Sequence, residues 1–186
     1  MSLLSEIKRA ESTPVDYRFI HSVASPICKS MRYVQHEKLP AKPTLADIFK
    51  GKQAVCILFT VLHHSLPTNI RHWTCLFKGK KGRITFFDSL GLNLKGIYSL
   101  THEKRKLEWA LRDTKYEKSH TPLQQMISKQ KYCGCAVAVR LRYYKTKTNR
   151  EFERYILEHN RKFPGETLAT LCLFHYADQH EYELSE

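Results

Sequence analysis

The first half of the chain carries hydrophobic patterns that are typical of β-strands. Residues 54–62 form an unbroken, β-branched apolar run, which predicts a strand buried on both faces of a sheet. Two further strands are predicted at residues 72–78 and 83–88, and the segment Gly79–Gly82 between them predicts a turn. These two strands are therefore expected to form a hairpin.

The remaining apolar positions predict helices. A short helix is expected at residues 44–49, with Thr44 as its N-cap, and a longer one at residues 98–113. Cys133 begins an apolar run that predicts a buried helix, and residues 149–162 predict an amphipathic one. The side chains expected on the buried face of that last helix are Phe152, Tyr155, Ile156 and His159.

Two segments are less regular. Residues 121–132 are polar and predict an irregular segment, whereas the apolar run at 168–174 is compatible with a helix or a strand. No repeat, low-complexity tract or Gly/Ser linker divides the chain, so residues 1–186 are expected to form one domain. With 186 residues, of which 42% are hydrophobic, that domain can bury a sizeable core without disulfide support.

The six cysteines favour a reduced, intracellular protein. Cys56 and Cys172 lie inside apolar runs, where cysteine behaves as a small buried hydrophobe. The first residues lack the apolar core of a secretory signal, and no run approaches the roughly 20 residues that span a bilayer. We therefore expect a soluble monomer inside a host cell or virion, with no membrane partner.

The net charge of +13 points to polyanionic or acidic partners without assigning a function. The basic residues concentrate in the segments 78–83, 103–106 and 145–150. Solvated loops explain such runs as well as a nucleic-acid surface does. No finger, RRM or helix-turn-helix pattern accompanies the charge.

The predicted hairpin places a histidine near a carboxylate. If Lys78 pairs with Gly82, His72 lies directly opposite Asp88 on the same face of the sheet. A slip of one residue would separate the two side chains, so the pairing needs a loop with an odd number of residues. In the favourable register Asp88 can orient the imidazole and stabilise its cation, although an Asp before Ser-Leu-Gly can also simply initiate a turn.

Cys133 supplies a candidate nucleophile. A thiol at a helix N-terminus has a lowered pKa because of the helix dipole, and a nearby imidazolium lowers it further. The adjacent Gly134 leaves room for a substrate backbone, and free N–H groups at the helix start can donate to an oxyanion. Cys135 is the local competitor, but the Cys-Gly pair favours Cys133.

These residues together resemble the signature of the adenain-like cysteine proteases. The matching motifs are His72-Trp73, the Phe86–Gly91 segment, a glutamine-bearing segment and Tyr132-Cys133-Gly134, within residues ~53 to 143. This group contains the adenovirus endopeptidase, related proteases of large DNA viruses and virophages, and the eukaryotic SUMO proteases. The resemblance implies an α+β fold with a mixed central sheet, helices on its faces, and the catalytic cysteine at the start of a buried helix.

The resemblance also implies the roles of the site residues. His72 would be the general base, Asp88 its orienting acid and Cys133 the nucleophile of a thiol protease. Trp73 and Gly134 would line the substrate groove. A glutamine before the cysteine would complete the oxyanion hole; Gln125 is the first choice, although it lies farther from Cys133 than expected, with Gln124 the second and Gln130 too close.

The substrate is not specified by the sequence, and other functions stay open. Resemblance and the compact, basic chain favour a viral or virophage protease that cleaves capsid precursors during virion maturation, without a cofactor or with DNA or a peptide as activator. The alternatives are an isopeptidase that removes ubiquitin-like modifiers and a non-enzymatic, basic DNA-binding protein. A metal site formed by Cys133, Cys135, His63 and His64 matches no common zinc spacing, so no metal is expected.

Overall fold

A four-stranded sheet lies at the centre of the computed structural model, which describes residues 16–61, 70–101, 103–124, 132–159 and 164–183. Its strands follow one another in space as they do in sequence. They are β1 (Met31–Gln35), β2 (Ala54–Val61), β3 (Ile70–Lys78) and β4 (Ile84–Phe87). Strand β1 is parallel to β2, whereas the other neighbours are antiparallel, so the sheet is mixed as predicted.

Helices cover both faces of this sheet, and the predicted α+β class is confirmed. One face packs against α1 (Tyr17–Ala24), α5 (Cys133–Arg142), α6 (Asn149–His159) and α7 (Pro164–Glu183). The opposite face packs against α2 (Leu45–Phe49), α3 (Leu94–Leu100) and α4 (Lys106–Leu111). Short 3₁₀ turns occupy His36–Lys38 and Lys80–Gly82. In the described part of the chain, no helix combines the length and the hydropathy that a membrane span needs.

The alternation of side chains along β2 explains its unbroken apolar sequence. Cys56 and Leu58 join the core on the α5 side, whereas Ile57 and Phe59 join the core on the α3 side. Successive residues of a strand point to opposite faces, so a strand covered on both faces must be apolar at every position. Burial on both sides fixes β2 and therefore the neighbouring β3, which carries His72.

The hairpin between β3 and β4 has a different register from the predicted one. Lys78 pairs with Ile84 rather than with Gly82, and the ladder ends where Cys75 pairs with Phe87. The loop is longer because the Gly79 N–H bonds to the Arg83 carbonyl at 2.8 Å around a 3₁₀ turn. The predicted direct opposition of His72 and Asp88 is therefore wrong. The loop still has an odd number of residues, so the two remain on the same face as diagonal neighbours.

The predicted helix at residues 98–113 is two helices, α3 and α4, separated by residues 101–105. The interruption allows the Glu103 carboxylate to accept the Thr60 N–H at the end of β2 and to bond to His36. Lys106 follows the break, and its buried ammonium donates to the carbonyls of residues 36, 37 and 39.

The other predicted helices agree with the structure more closely. Thr44 caps α2, and the Asp47 carboxylate returns a bond to the Thr44 N–H at 2.8 Å. Helix α6 buries Phe152 and Ile156 as predicted, with Tyr155 half-buried. The predicted burial of His159 is wrong, since its ring packs on the outer side of Tyr155 and is exposed. Residues 160–162 lie outside the described ranges, and residues 168–174 belong to helix α7.

Candidate active site

Asp88 follows the last residue of β4, where the chain leaves the sheet. Its backbone N–H donates to the Ser119 hydroxyl at 2.8 Å, and its Oδ1 accepts the Leu90 N–H at 2.5 Å. The Gly91 N–H in turn donates to the Asp88 carbonyl, which closes a tight turn. Asp88 therefore initiates a turn and also has one carboxylate oxygen, Oδ2, free to face the sheet.

That second oxygen meets the ring of His72. The Nε2 of His72 lies 3.2 Å from Oδ2 of Asp88, with the imidazole 8% and the carboxylate 0% exposed. The diagonal arrangement of the two residues across the ladder is close enough for this contact because both side chains extend toward each other. Since Asp88 uses Nε2, the ring nitrogen that remains for a further partner is Nδ1.

The Cys133 thiol is this further partner. Cys133 is the first residue of α5, its side chain hydrogen-bonds to His72, and the sulfur accepts the backbone N–H groups of Trp73 and Gly134. Strand β4 pairs with β3 only as far as Cys75, so among the described residues no strand covers β3 beside Trp73 on that edge. The structure thus brings three side chains together: His72 from β3, Asp88 from the end of β4, and Cys133 from the start of α5.

The charges of this group favour a thiolate–imidazolium pair. Burial lowers the pKa of His72, but the charge and hydrogen bond of Asp88, together with Cys133, outweigh burial and raise it to about 10. Burial raises the pKa of Cys133, but the hydrogen bond and charge of His72 and the two backbone donors lower it below its ordinary value. The thiolate is the nucleophilic form of cysteine, so the lowered pKa of Cys133 favours the form that can attack a carbonyl carbon.

Trp73 and Gly134 both contact the sulfur through their backbone N–H groups, and their substrate-lining role stays a prediction. The Trp73 ring is 7% exposed and contacts the ring of Tyr33 at a centroid distance of 5.5 Å. Gly134 is in the first turn of α5, where N–H groups have no partner within the helix. This end of the helix can therefore present donors to an oxyanion that forms beside Cys133.

Three glutamines were candidates for the predicted oxyanion hole, and the structure describes one of them, Gln124. Gln125 and Gln130 lie outside the described residues. Gln124 is half-buried, its N–H donates to the Ser89 carbonyl at 3.2 Å, and its side-chain Oε1 is buried without a hydrogen-bond partner. Gln124 thus belongs to the segment that packs beside Asp88.

The other cysteines are unlike Cys133. Burial raises the pKa of Cys28 to about 11, and the pKa values of Cys56, Cys75 and Cys172 are raised as well. Cys135 points away from the site and packs against Cys172 in the core. Of the described residues, no three His, Cys, Asp or Glu side chains form a cluster suited to a metal ion; His63 and His64 lie outside the described ranges.

Part of the basic charge has structural partners. The Lys80 ammonium lies 3.3 Å from the Glu151 carboxylate, and Lys78 packs over the Phe49 ring at 5.3 Å. Lys106 is buried and therefore contributes nothing to a surface. Near 145–150, Lys147 lies over the Tyr155 ring at 4.9 Å. The basic segments are thus a mixture of exposed and structurally engaged cations.

Sequence reasoning missed Ser119 and Glu153. Ser119 accepts the Asp88 N–H, and Glu153 holds the next two residues of the same segment through the backbone of His120 and Thr121. Neither residue lies in a recognisable motif, and both contacts join parts of the chain about 30 residues apart. Only the folded arrangement relates them to the site.

No protein-family model matches the chain, and no curated protein matches it at a significant level. An assignment of activity therefore depends on the geometry of the three side chains and on what that geometry can do chemically.

Proposed function

We propose that the protein is a cysteine endopeptidase in which Cys133 is the nucleophile, His72 the general acid and base, and Asp88 the orienting acid. One observation carries the proposal: the His72 ring bonds to a buried carboxylate through Nε2 and also to a thiol at the first residue of a buried helix. A nucleophile, a base in contact with it and a group that orients the base are the parts that acyl transfer needs.

The geometry supports a two-step reaction. The Cys133 thiolate attacks the carbonyl carbon of a peptide bond, and N–H groups at the start of α5 stabilise the resulting oxyanion. The His72 imidazolium gives its proton to the departing amine, which leaves a thioester. His72 then removes a proton from water, which attacks the thioester and releases the acid and the thiolate. Asp88 holds the ring and stabilises its cation throughout.

We further propose a viral capsid precursor as substrate. The resemblance to the adenain-like proteases names this substrate class, and the compact, strongly basic chain suits a protein packaged close to nucleic acid. The half-exposed Tyr33 ring packs on the ring of Trp73, whose backbone N–H contacts the sulfur, and this arrangement supports a narrow groove for an extended strand with small residues at the scissile bond.

Co-expression with candidate capsid proteins tests the proposal. The wild-type enzyme and Cys133→Ala are compared, and the new termini are identified by mass spectrometry. New termini that depend on Cys133 support an endopeptidase. A Cys135→Ala variant is the matched control, because it removes a thiol of the same helix that does not contact His72, and it should cleave like the wild type.

The substrate class has a separate test. A probe with the C-terminus of SUMO or ubiquitin and an electrophilic warhead is incubated with the purified enzyme. Efficient labelling of Cys133 by this probe would replace the capsid substrate with ubiquitin-like modifiers. Absence of both labelling and capsid cleavage, with Cys133 as unreactive as an ordinary buried thiol, would contradict any cysteine-dependent activity.

A further inference from the structure

The segment 117–124 wraps around the orienting acid. Its first part lies along the free edge of β4, where the Phe86 N–H donates to the Glu117 carbonyl and the Glu117 N–H donates to the Ile84 carbonyl. The Ser119 hydroxyl then accepts the Asp88 N–H, and the Ser89 carbonyl accepts the N–H groups of residues 123 and 124. This segment therefore binds the backbone of residues 88 and 89, in addition to the contacts of Asp88 with its own turn and with His72.

A close backbone contact makes the wrapping tight. Gly91 has φ +70, and a Cβ atom there would lie 2.6 Å from the Pro122 nitrogen and 2.7 Å from the Thr121 carbonyl carbon. Real Cβ contacts do not approach this closely, so any larger residue at position 91 must displace the segment. The turn that follows Asp88 and the segment 117–124 can thus only move together.

Helix α6 anchors the segment through a buried carboxylate. Glu153 is 2% exposed and accepts the His120 N–H at 2.9 Å, as well as bonds from the Thr121 backbone and hydroxyl. No Lys or Arg of the described residues forms an ion pair with it. A buried carboxylate is costly; although the buried Arg140 guanidinium lies within electrostatic range, burial is the largest effect and raises the pKa of Glu153.

The same helix holds the start of the segment one turn earlier. The Asn149 N–H donates to the Glu117 carboxylate at 2.6 Å, and the Asn149 amide donates to the Phe86 carbonyl at 2.8 Å. Asn149 is itself held by the buried Arg140 guanidinium at 2.9 Å. The first two turns of α6 therefore hold the segment on both sides of Ser119, at Glu117 and at His120.

We propose that Glu153 is a positioning residue of the catalytic group, which acts through the 119–121 backbone and the Ser119 hydroxyl on Asp88. This inference rests on the proposed cysteine-dependent chemistry. A carboxylate at position 153 accepts several N–H and O–H donors at once, and a neutral side chain of the same shape cannot. Loss of these bonds lets Ser119 and Asp88 shift, which weakens the hold of Asp88 on the imidazolium.

The test compares Glu153→Gln with Glu158→Gln. Glu158 lies on the same helix, is exposed and only faces Arg154 at 3.8 Å, so its variant controls for a change of charge. The readout is the rate of alkylation of Cys133 by iodoacetamide as a function of pH, followed by peptide mapping. This readout reports the thiolate–imidazolium pair and requires no knowledge of the substrate.

We expect Glu153→Gln to move the alkylation midpoint of Cys133 upward by about one pH unit and to lower kcat about tenfold with KM within about twofold. Glu158→Gln should leave all three unchanged. Ser119→Ala should shift the midpoint in the same direction. The double variant Ser119→Ala/Glu153→Gln should be no worse than the more affected single variant, because both act along one path.

Other outcomes contradict the inference in distinguishable ways. A lower melting temperature of Glu153→Gln with an unchanged midpoint would show that Glu153 is only a structural anchor. If Glu153→Gln does not fold, an unchanged midpoint in Ser119→Ala decides against the path. A wild-type midpoint near that of an ordinary thiol would overturn the proposed function itself, whereas a lowered wild-type midpoint that both variants retain overturns the positioning role alone.

Discussion

The described part of the fold contains two pairs of a buried histidine and a carboxylate, and of these the pair at His72 contacts a thiol. His72 bonds to Asp88 at the end of the hairpin, and His36 bonds to Glu103 beside Phe59 of β2. Both imidazoles are almost fully buried. The two pairs differ in the group that each imidazole bonds on its other side, which is a phenol at His36 and a thiol at His72.

The pair at His36 is a closed network. The Nε2 of His36 bonds to the Tyr98 hydroxyl at 2.8 Å, and the same hydroxyl accepts the Leu107 N–H at 2.8 Å. Nδ1 of the same ring bonds to Glu103, so both ring nitrogens have a hydrogen-bond partner. The ring also stacks on Phe59 at 4.5 Å. Both ring nitrogens of His36 thus bond to groups of the core and its edge, and neither faces a thiol.

The pair at His72 ends in a thiol instead of a phenol. A phenol has an ordinary pKa near 10, and burial raises that of Tyr98 further, so it stays protonated as a donor. Burial raises the pKa of the Cys133 thiol, but His72 and two backbone N–H groups lower it below its ordinary value, which favours transfer of its proton to the ring. Two histidine–carboxylate pairs thus occur in the described fold, and the proposed reactivity depends on the helix N-terminal thiol that contacts His72.

Removal of the thiol should have the largest effect. Cys133→Ala is expected to reduce peptide hydrolysis by at least about 10⁴-fold, because the covalent step has no other nucleophile. Hydrolysis of a peptide identified in the co-expression experiment measures the loss. Residual hydrolysis within tenfold of the wild type would show that another residue carries the chemistry.

The two carboxylates should respond in opposite ways to the same substitution. Asp88→Asn is expected to lower kcat/KM about 10³-fold, since the amide neither stabilises the imidazolium nor holds its tautomer. Glu103→Gln should leave kcat/KM within about twofold but destabilise the fold by about 1–3 kcal/mol, because it disturbs buried hydrogen bonds to His36 and Thr60. Steady-state kinetics and urea unfolding measure the two effects. Equal kinetic losses in both variants would remove the distinction between the pairs.

The pH dependence should report the ion pair at His72. We expect kcat/KM to rise with pH as Cys133 loses its proton, at a pH below the ordinary thiol value of 9.0, and to fall as His72 loses its proton at about pH 10. The alkylation rate of Cys133 measures the same limb without substrate. A rate that only begins to rise near pH 9 would show an unpaired thiol.

The same shifts imply a pH dependence of stability. The raised pKa of His72 stabilises the folded state at pH values below the unfolded value of 6.5, and this contribution is lost as the pH rises to about 10. The lowered pKa of Cys133 stabilises the fold above its unfolded value of 9.0, and this contribution is lost as the pH falls through the folded value. Melting temperatures of the wild type and of Cys133→Ala, measured between pH 5 and 10, separate the contribution of His72 from that of Cys133.

The elements of the site were predictable from the sequence, but their exact alignment was not. The run at 54–62 and the hairpin strands have local patterns, and parity of the loop was enough to place His72 and Asp88 on one face. The register itself depends on the 3₁₀ turn after Gly79, whose φ values at Lys81 and Gly82 have no unique signature. Ser119, Glu153 and the break at Glu103 depend on distant contacts, which no local pattern specifies.

The smallest effect on activity is expected at the closed pair itself. Tyr98→Phe removes the hydroxyl that joins His36 Nε2 to the Leu107 N–H, so two buried polar groups lose their partner and the free energy of unfolding should fall by about 1–3 kcal/mol. Turnover and the alkylation midpoint of Cys133 should stay at wild-type values, because Tyr98 packs in the core on the other face of the sheet from Cys133. Urea unfolding and the alkylation profile measure both quantities on one preparation. A shifted midpoint in Tyr98→Phe would mean that the two pairs are coupled through β2 and β3, where Phe59 lies beside His72, and that the His36 network forms part of the reactive site.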